Sequence, residues 1–345
     1  VDEGAHGDGR HWQTGTAEWR RMTVATDGNG HAGGEGRVSR HCPLCGTPAG
    51  EIVRRTRDHV TMEEFSLARC TGCELWFIAD PPPEDRIGRY YDNEAGASMH
   101  RESGRLFDSM RRVSIGWDLS PLLDRLGPGS SVLDYGAGDG AVARLCRERG
   151  LRVRALDIYP EAEWGDPLVP YRQQPPGTGL DVAMLADASG RPPHAVILRH
   201  VLEHVYEPRA LLRVLHDAGV RYVLTIVPNA GSHFARVLGD AWFYWDPPRH
   251  LTFFTRSSLG EMGRREGWEV AWSATKGLDE IVTSAHRALL LRRVRRPLTK
   301  PEERLVTAFR AKGAVAGLSS ALSAPITDSV CHVLFEVAPP ESLAS

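Results

Sequence analysis

Four short apolar runs lie between residues 131 and 229, and each of them closes with a polar side chain. They cover residues 131–134, 151–157, 195–200 and 220–229. Residues 141–146, soon after the first run, have the composition of a helix. Short continuous apolar runs that alternate with helical segments are typical of strands buried inside a sheet. The pattern therefore predicts an α/β fold built on a doubly wound sheet.

Three alternating glycines, Gly136, Gly138 and Gly140, follow the first predicted strand. Glycine permits a tight turn there and lets a ligand approach the backbone, and the next helix offers free N–H groups. Asp157 ends the second strand, 21 positions after Gly136 (157 − 136). A carboxylate about 20 residues after such a turn binds a ribose hydroxyl. Nicotinamide and adenosyl ligands would both use these groups, so this pattern leaves both open.

The later strands carry the resemblance that separates the two ligands. Residues 202–205 follow the third run directly, and residues 227–229 close the fourth. With these segments in order, the chain resembles the class I S-adenosylmethionine-dependent methyltransferases between residues 129 and 275, with a last strand near 331–337. The resemblance implies a Rossmann-like sheet of seven strands and S-adenosylmethionine as the cofactor.

The resemblance also implies roles for individual residues. Asp134 and the three glycines are similar to the first motif of that family, and Asp157 is similar to its ribose-binding acid. We assign to the cofactor site the polar and turn residues at this edge of the predicted sheet: Asp134, Gly136, Gly138, Gly140, Asp157, Ile158 and His200.

Two Cys-x-x-Cys pairs precede this domain. Cys42 and Cys45 form the first pair, and Cys70 and Cys73 form the second, with 24 residues between Cys45 and Cys70. Four thiolates satisfy the tetrahedral preference of zinc, and a site with four protein ligands is structural rather than catalytic. Two disulfides and free thiols are the alternatives, although thiols in the cytoplasm rarely stay oxidised. We therefore expect a structural Zn²⁺ bound by these four cysteines.

This layout, four cysteines ahead of a methyltransferase domain, resembles sugar C-methyltransferases and related small-molecule methyltransferases of natural-product biosynthesis. The resemblance implies an acceptor that is a sugar or a secondary metabolite, methylated on oxygen or carbon.

Four residues are the candidates for catalysis. Three of them lie at the end of the third strand or soon after it, and the fourth follows a later loop. His200, Glu203 and His204 have the spacing of one helix face, and His250 follows the aromatic loop 242–249. In one reading, His204 or His250 is a general base that Glu203 orients. In another, all four side chains bind a divalent metal, similar to the Glu-x-x-Glu-His site of certain O-methyltransferases, with His200 in place of the first Glu. In a third, Glu203 and His204 only pack near the cofactor.

Composition sets the remaining bounds. The chain has 345 residues, 41% of them hydrophobic and 25% charged, as in ordinary globular proteins. A net charge of −2 provides no general attraction to nucleic acid or to an anionic membrane. The chain also has no apolar run of about 18 residues. We therefore expect a cytoplasmic protein that acts on a small molecule, with no nucleic-acid or membrane partner and with its oligomeric state open.

The predicted organisation has four parts. They are a disordered tail (1–38), a zinc-binding knuckle (39–80), a linker with a helical lid (81–128), and the methyltransferase domain (129–345) with a helical insertion at 278–326 that forms part of a cap. The rival functions are an NAD-dependent oxidoreductase and a non-catalytic module that binds S-adenosylmethionine.

Overall fold

The computed structural model describes most of the chain between residues 40 and 276, together with shorter stretches outside it. The described residues are 32–33, 37–38, 40–48, 50–58, 61–91, 105–158, 166–174, 182–276, 288–291, 298–299, 301–302 and 328–337. The predicted tail 1–38 lies outside them apart from 32–33 and 37–38. Residues 92–104 of the predicted lid and most of the predicted insertion 278–326 also lie outside them.

Thirteen strands and six helices are assigned within these ranges. The strands are β1 (Ala32–Gly33), β2 (Arg37–Val38), β3 (Glu51–Arg57), β4 (Glu64–Arg69), β5 (Trp76–Ile78), β6 (Ser131–Tyr135), β7 (Arg152–Asp157), β8 (Tyr171–Gln173), β9 (Ala195–Arg199), β10 (Tyr222–Pro228), β11 (Thr252–Phe253), β12 (Trp268–Lys276) and β13 (Val330–Val337). The α-helices are α1 (Arg105–Leu123), α2 (Ala141–Glu148), α3 (Val182–Leu185), α4 (Pro208–Asp217), α5 (His233–Leu238) and α6 (Arg256–Arg265). Three 3₁₀ segments lie at Glu84–Tyr90, Leu202–His204 and Gly239–Ala241.

The main sheet has the predicted doubly wound form, with seven strands in the order β12-β13-β10-β9-β6-β7-β8. The five strands from β10 to β8 run parallel to their neighbours, whereas β13 is antiparallel to both β10 and β12. The strand order reverses direction between β6 and β9, and ligands of open α/β sheets bind in the crevice at such a point. The predicted fold class is therefore confirmed.

Apolar residues cover both faces of this sheet, which explains why the sequence runs are continuous rather than alternating. In β9, Val196 and Leu198 belong to one hydrophobic core, and Ala195 and Ile197 belong to the core on the opposite face. The second core includes Ile115, Leu119 and Leu122 of α1. The main sheet is thus the buried centre of the molecule, with its strand ends free to form a site.

The first core also contains residues of the cysteine-bearing segment. Cys42, Leu44 and Phe77 pack there with residues of β9 and β10. A second sheet, in the order β11-β5-β4-β3, is antiparallel throughout and includes one strand, β11, from beyond residue 250. We call this four-stranded sheet the cysteine-side sheet. Because β11 belongs to it, the predicted knuckle and the predicted catalytic domain share a sheet.

Buried ion pairs also connect the cysteine-bearing segment to the predicted catalytic domain. Glu266 is buried, and its carboxylate accepts hydrogen bonds from Arg209 at 2.5 Å and Arg213 at 2.7 Å. Arg209 also donates to the Leu44 carbonyl at 3.1 Å. No helix within the described ranges is long and apolar enough to cross a membrane.

Two glycines of α6 provide a matched test of how closely this helix packs on the sheet. A Cβ at Gly263 would overlap the Phe335 ring of β13, whereas a Cβ at Gly260 would lie 3.4 Å from Arg264 and 3.5 Å from Val270. We expect Gly263→Ala to destabilise the protein by about 1–3 kcal/mol through overpacking. We expect Gly260→Ala to be neutral or stabilising by up to about 1 kcal/mol, because alanine favours helix. Thermal denaturation compares the two variants, and equal melting temperatures would contradict the packing.

Candidate active site

The glycine turn between β6 and α2 has the backbone that the sequence pattern requires. Gly136, Gly138 and Gly140 have φ values of 76°, 54° and 76°, a region that side chains disfavour. A Cβ at Gly136 would overlap Val201, which follows β9 directly. A Cβ at Gly138 would meet no described atom within 4 Å. The turn is therefore closely packed on the Val201 side and leaves space above Gly138.

Two buried carboxylates lie next to this turn. Asp157, at the end of β7, accepts hydrogen bonds from the backbone N–H groups of Gly138 and Ile158, each at 2.6 Å. Asp134 is 2% exposed, and its Oδ2 has no hydrogen-bond partner among the described residues. Burial, with the nearby negative charge of Asp157, raises the pKa of Asp134 to about 7. A buried acceptor atom without a partner is costly and is typical of a binding site.

An arginine from α1 also contacts the glycine turn, although the sequence analysis did not single it out. The Nη2 of Arg111 donates to Oδ1 of Asp139 at 2.9 Å, and its Nη1 contacts Oδ2. Asp139 lies between the last two glycines, so α1 borders the turn. Arg111 lies in a helix that comes before β6, and no local sequence pattern indicates its contact with Asp139.

His200 lies at the carboxyl end of β9 in a strained conformation. Its φ is 55°, which costs a residue other than glycine about 1–2 kcal/mol. The Nδ1 of His200 lies 3.3 Å from Oε1 of Glu203, and its ring stacks on Tyr244 with the ring centroids 6.2 Å apart. Backbone strain of this kind is concentrated at functional sites.

The segment directly after His200 does not form the predicted α-helix. Leu202–His204 is a single 3₁₀ turn, and α4 begins only at Pro208, which occupies the first helical position. Glu203 and His204 are therefore neighbours on a tight turn rather than on the first turn of an α-helix. Their side chains nevertheless approach His250, which comes from the loop before β11.

His204 and His250 each have one ring nitrogen on a backbone carbonyl. Nδ1 of His204 lies 2.9 Å from the Arg249 oxygen, and Nδ1 of His250 lies 2.9 Å from the Tyr244 oxygen. Because a carbonyl only accepts, these contacts place the proton on Nδ1 and leave the lone pair on Nε2. The two rings meet edge to face with their centroids 4.6 Å apart.

Burial sets the charge of these groups. It lowers the pKa of His204 to about 4, with the neighbouring His250 adding to the shift, and it also lowers the pKa of His250. Burial raises the pKa of Glu203, which is 1% exposed. Both imidazoles are therefore neutral at pH 7, with their Nε2 atoms able to accept a proton or bind a metal.

Three of the four predicted catalytic residues form a compact donor group. One ligand atom from each of Glu203, His204 and His250 lies within 4.8 Å of the other two, and His200 does not belong to this group. The Oε2 atom of Glu203 has no hydrogen-bond partner in the part of the chain that the structure describes. The Tyr91 hydroxyl lies 3.1 Å from Nδ1 of His204.

The four paired cysteines form a second donor group, away from these histidines. The Sγ atoms of Cys42, Cys45, Cys70 and Cys73 all lie within 4.8 Å of one another, and none forms a disulfide. The Cys42–Cys73 and Cys45–Cys70 sulfur distances are both 3.4 Å. Burial acts to raise the pKa of Cys45, but hydrogen bonds from Thr47 outweigh it and lower this pKa to about 6.

The comparison with protein families identifies the larger part of this fold. Residues 107–271 match a family whose model is described as a methyltransferase domain. These residues contain five of the seven strands of the main sheet (β6–β10), the first part of β12 and the glycine turn. These residues have the Rossmann-like methyltransferase fold, and we call them the methyltransferase domain.

One curated relative and many solved structures are similar to this methyltransferase domain. The malonyl-[acyl-carrier protein] O-methyltransferase of Serratia marcescens is 31% identical over 137 residues, which are 37% of this chain and 49% of that protein. The match thus spans about half of the relative's length.

Among the structures, magnesium protoporphyrin IX methyltransferase of Synechocystis PCC 6803 with bound S-adenosylhomocysteine is 15% identical. It covers 74% of this chain and 100% of its own, with a TM-score of 0.44. A putative sarcosine dimethylglycine methyltransferase of Galdieria sulphuraria is 14% identical, with coverages of 65% and 85% and a TM-score of 0.42.

The buried Oε2 atom of Glu203, which has no hydrogen-bond partner among the described residues, leads to a stability test. A buried, charged acceptor without a hydrogen bond costs folding free energy, whereas a neutral amide of the same shape costs less. We therefore expect Glu203→Gln to be at least as stable as the wild type, measured by urea denaturation. A control is Glu266→Gln, which removes a partnered buried carboxylate and should destabilise the protein. A loss of stability in Glu203→Gln as large as in Glu266→Gln would show that Glu203 is a structural group.

Proposed function

We propose that this protein transfers the methyl group of S-adenosylmethionine to an oxygen or carbon nucleophile of a small molecule, a sugar or a secondary metabolite. The neutral Nε2 atoms of His204 and His250, at the sheet edge that also carries the glycine turn, are the observation that carries the proposal. Val201 links the two features, because it packs on Gly136. The Serratia relative is named an O-methyltransferase, which supports an oxygen acceptor.

The residues around the turn fit an adenosyl ligand. The space above Gly138 has no side chain to fill it, and the unpartnered Oδ2 of Asp134 can accept a hydrogen bond. We propose that Asp157 accepts hydrogen bonds from the ribose hydroxyls, with Ile158 beside it. We propose that Asp134, the three glycines and His200 also line this site. The bound cofactor supplies an electrophilic methyl group.

In the proposed reaction, His204 or His250 receives the acceptor's proton on Nε2. The nucleophile forms a bond to the methyl carbon while the carbon–sulfur bond breaks, and S-adenosylhomocysteine leaves with that electron pair. Burial keeps the receiving imidazole neutral, so it can act as a base. Glu203, beside both rings, stabilises the imidazolium that forms. His200 lies against Glu203 and Tyr244 and orients both.

A second candidate mechanism uses a divalent metal. Both imidazoles have the tautomer of a metal ligand, since each Nδ1–H is held by a carbonyl, and the Glu203 carboxylate lies within reach. His204, His250 and Glu203 would then be ligands, and an acceptor hydroxyl could ionise without a protein base. His200 would orient Glu203 rather than bind the ion.

We further propose that Cys42, Cys45, Cys70 and Cys73 bind a structural Zn²⁺. Sulfurs bound to zinc at about 2.3 Å lie about 3.8 Å apart, and the four sulfurs here all lie within 4.8 Å of one another. The Gly72 N–H donates to Cys70 Sγ at 3.3 Å, and the Thr47 hydroxyl lies 3.1 Å from Cys45 Sγ. Such bonds stabilise thiolates, so the donor set fits zinc.

The cofactor proposal is tested by titration calorimetry. S-adenosylhomocysteine should bind the wild type, and NADH should not. In Asp157→Asn, the affinity for S-adenosylhomocysteine should fall by about 2 kcal/mol or more, the order of a charged hydrogen bond. Asp187→Asn, a substitution in an exposed turn, serves as the control and should bind normally. Unchanged affinity in Asp157→Asn removes this residue from the site. Tighter binding of NADH favours the oxidoreductase, and binding of neither ligand contradicts the proposed cofactor.

The zinc proposal is tested by metal analysis. Purified protein should contain one zinc per chain. Cys42→Ser should lose it, together with the ordered structure of the cysteine-side sheet, because metal binding at such a site contributes to folding free energy. Cys146→Ser, which changes a buried cysteine of the other core, should keep the zinc. Two disulfides found by mass spectrometry after purification under reducing conditions would rule the proposal out.

The two mechanisms are separated by kinetics. If His204 or His250 is the base, replacing it with Ala should lower kcat about a hundredfold or more with little change in cofactor affinity. Since the pKa of His204 is about 4, activity should persist at pH 5–6, below the ordinary histidine pKa, and fall as the imidazole gains a proton. If a metal is bound instead, chelator should abolish activity, and a divalent ion should restore it. Full activity in both alanine variants would discard both mechanisms.

A further inference from the structure

The side chain of Arg249 is held from two directions, by two residues that precede the methyltransferase domain and by Asp246 of its own loop. It is about 10% exposed and donates to Asp58 Oδ1 at 2.8 Å and to the Tyr90 carbonyl at 2.9 Å. Asp246 accepts from its Nε at 2.9 Å. Burial acts to lower the pKa of Arg249, but the charges of Asp246 and Asp58 outweigh this and raise it. The guanidinium is therefore fixed in one place.

Asp58 is itself rigidly placed. It is fully buried at the end of β3, and its Oδ2 accepts from the Thr61 backbone N–H at 2.6 Å. Its own N–H donates to the Glu63 carbonyl at 2.9 Å across the β3–β4 turn. The cysteine-side sheet thus provides a fixed anion against which Arg249 is positioned.

The backbone of Arg249 connects its fixed side chain to the candidate active site. Its carbonyl is the acceptor for Nδ1–H of His204 at 2.9 Å. The Tyr91 hydroxyl lies 3.1 Å from the same nitrogen and is compatible with either tautomer, because it can accept from Nδ1–H or donate to Nδ1 when this atom carries a lone pair. The tautomer of His204 therefore depends on how firmly the Arg249 carbonyl is held.

We propose that Asp58 is a positioning residue that keeps the proton of His204 on Nδ1 through Arg249. When Asp58 loses its charge, Arg249 keeps Asp246 and the Tyr90 carbonyl as partners, but its own carbonyl is held less firmly against Nδ1. Tyr91 then donates to that atom, and the proton moves to Nε2. His204 can then neither accept a proton nor bind a metal through Nε2. The consequence for catalysis rests on the proposed function, whereas the tautomer is a property of the chain itself.

Glu266→Gln provides a matched control for Asp58→Asn. Glu266 is also a buried carboxylate with arginine partners, and one of them, Arg209, also contacts the cysteine-bearing segment. None of these groups contacts His204 in the described hydrogen bonds. Both substitutions weaken a buried ion pair, but only one of them lies on the path to the histidine.

The test measures ¹⁵N chemical shifts of the histidine rings in labelled full-length protein, with His204 assigned by its loss in His204→Ala. In the wild type and in Glu266→Gln, His204 should carry its proton on Nδ1. In Asp58→Asn, the shifts of its two nitrogens should exchange, kcat should fall at least about tenfold, and the affinity for S-adenosylhomocysteine should stay the same. Adding Tyr91→Phe to Asp58→Asn should restore the wild-type shifts.

An Nδ1–H tautomer retained in Asp58→Asn, or an equal change in Glu266→Gln, would overturn the positioning role. If Asp58→Asn does not fold, Arg249→Lys takes its place, since lysine cannot bind Asp58, Asp246 and Tyr90 together. A changed tautomer with unchanged kcat would keep the positioning role and contradict the proposed role of His204. The two failures are therefore distinguishable.

Discussion

The pairing of β11 with β5 is the constraint on which the rest of the site depends. Thr252 pairs with Phe77 and Phe253 with Trp76, at the point where the chain returns from the aromatic loop to the main sheet. One residue earlier, the Leu251 N–H donates to the Glu203 carbonyl at 2.7 Å, and its own carbonyl accepts from Ile78 at 2.9 Å. The backbone next to His250 is thus held at once by the cysteine-side sheet and by the 3₁₀ turn that follows β9 of the main sheet.

This double attachment explains how a costly arrangement of side chains is maintained. His200 has a strained backbone, Glu203 has a buried oxygen without a partner, and two imidazoles are buried in contact. Each of these features lowers stability, and such features persist only where the surrounding structure over-determines them. Here the surroundings are the two hydrophobic cores of the main sheet and the aromatic cluster on the cysteine-side sheet, with Trp242, Trp245 and Phe253 at its centre.

Much of the fold was predictable from the sequence because its signals are local. The apolar runs predicted four of the five parallel strands (β6, β7, β9 and β10) but not β8, and the glycine spacing predicted the turn beside Asp157. The two Cys-x-x-Cys pairs indicated a four-sulfur group, and the four sulfur atoms lie close together in the structure. The presence of zinc, the domain boundaries and the role of each site residue remain predictions.

The contacts that position His204 and His250 were not predictable from the sequence, for a physical reason. Asp58 and Arg249 are 191 residues apart, and an isolated buried ion pair leaves no periodic pattern in either segment. The two-residue strand β11 is too short to show alternation. The helix face expected for His200, Glu203 and His204 is a 3₁₀ turn instead, because the chain does not enter α4 until Pro208. Tertiary contacts with the loop, rather than helical spacing, bring His204 to His250.

The cysteine-side sheet maintains the backbone of residues 244–254, the loop that carries His250. Hydrogen–deuterium exchange across residues 244–254, compared between the wild type and Cys42→Ser, tests this most directly. Local opening of the sheet should remove protection from this loop while the glycine turn at 136–140 keeps its own. Full protection of residues 244–254 in a variant whose cysteine-side sheet has opened would contradict the account, because the loop would then be held by the methyltransferase domain alone.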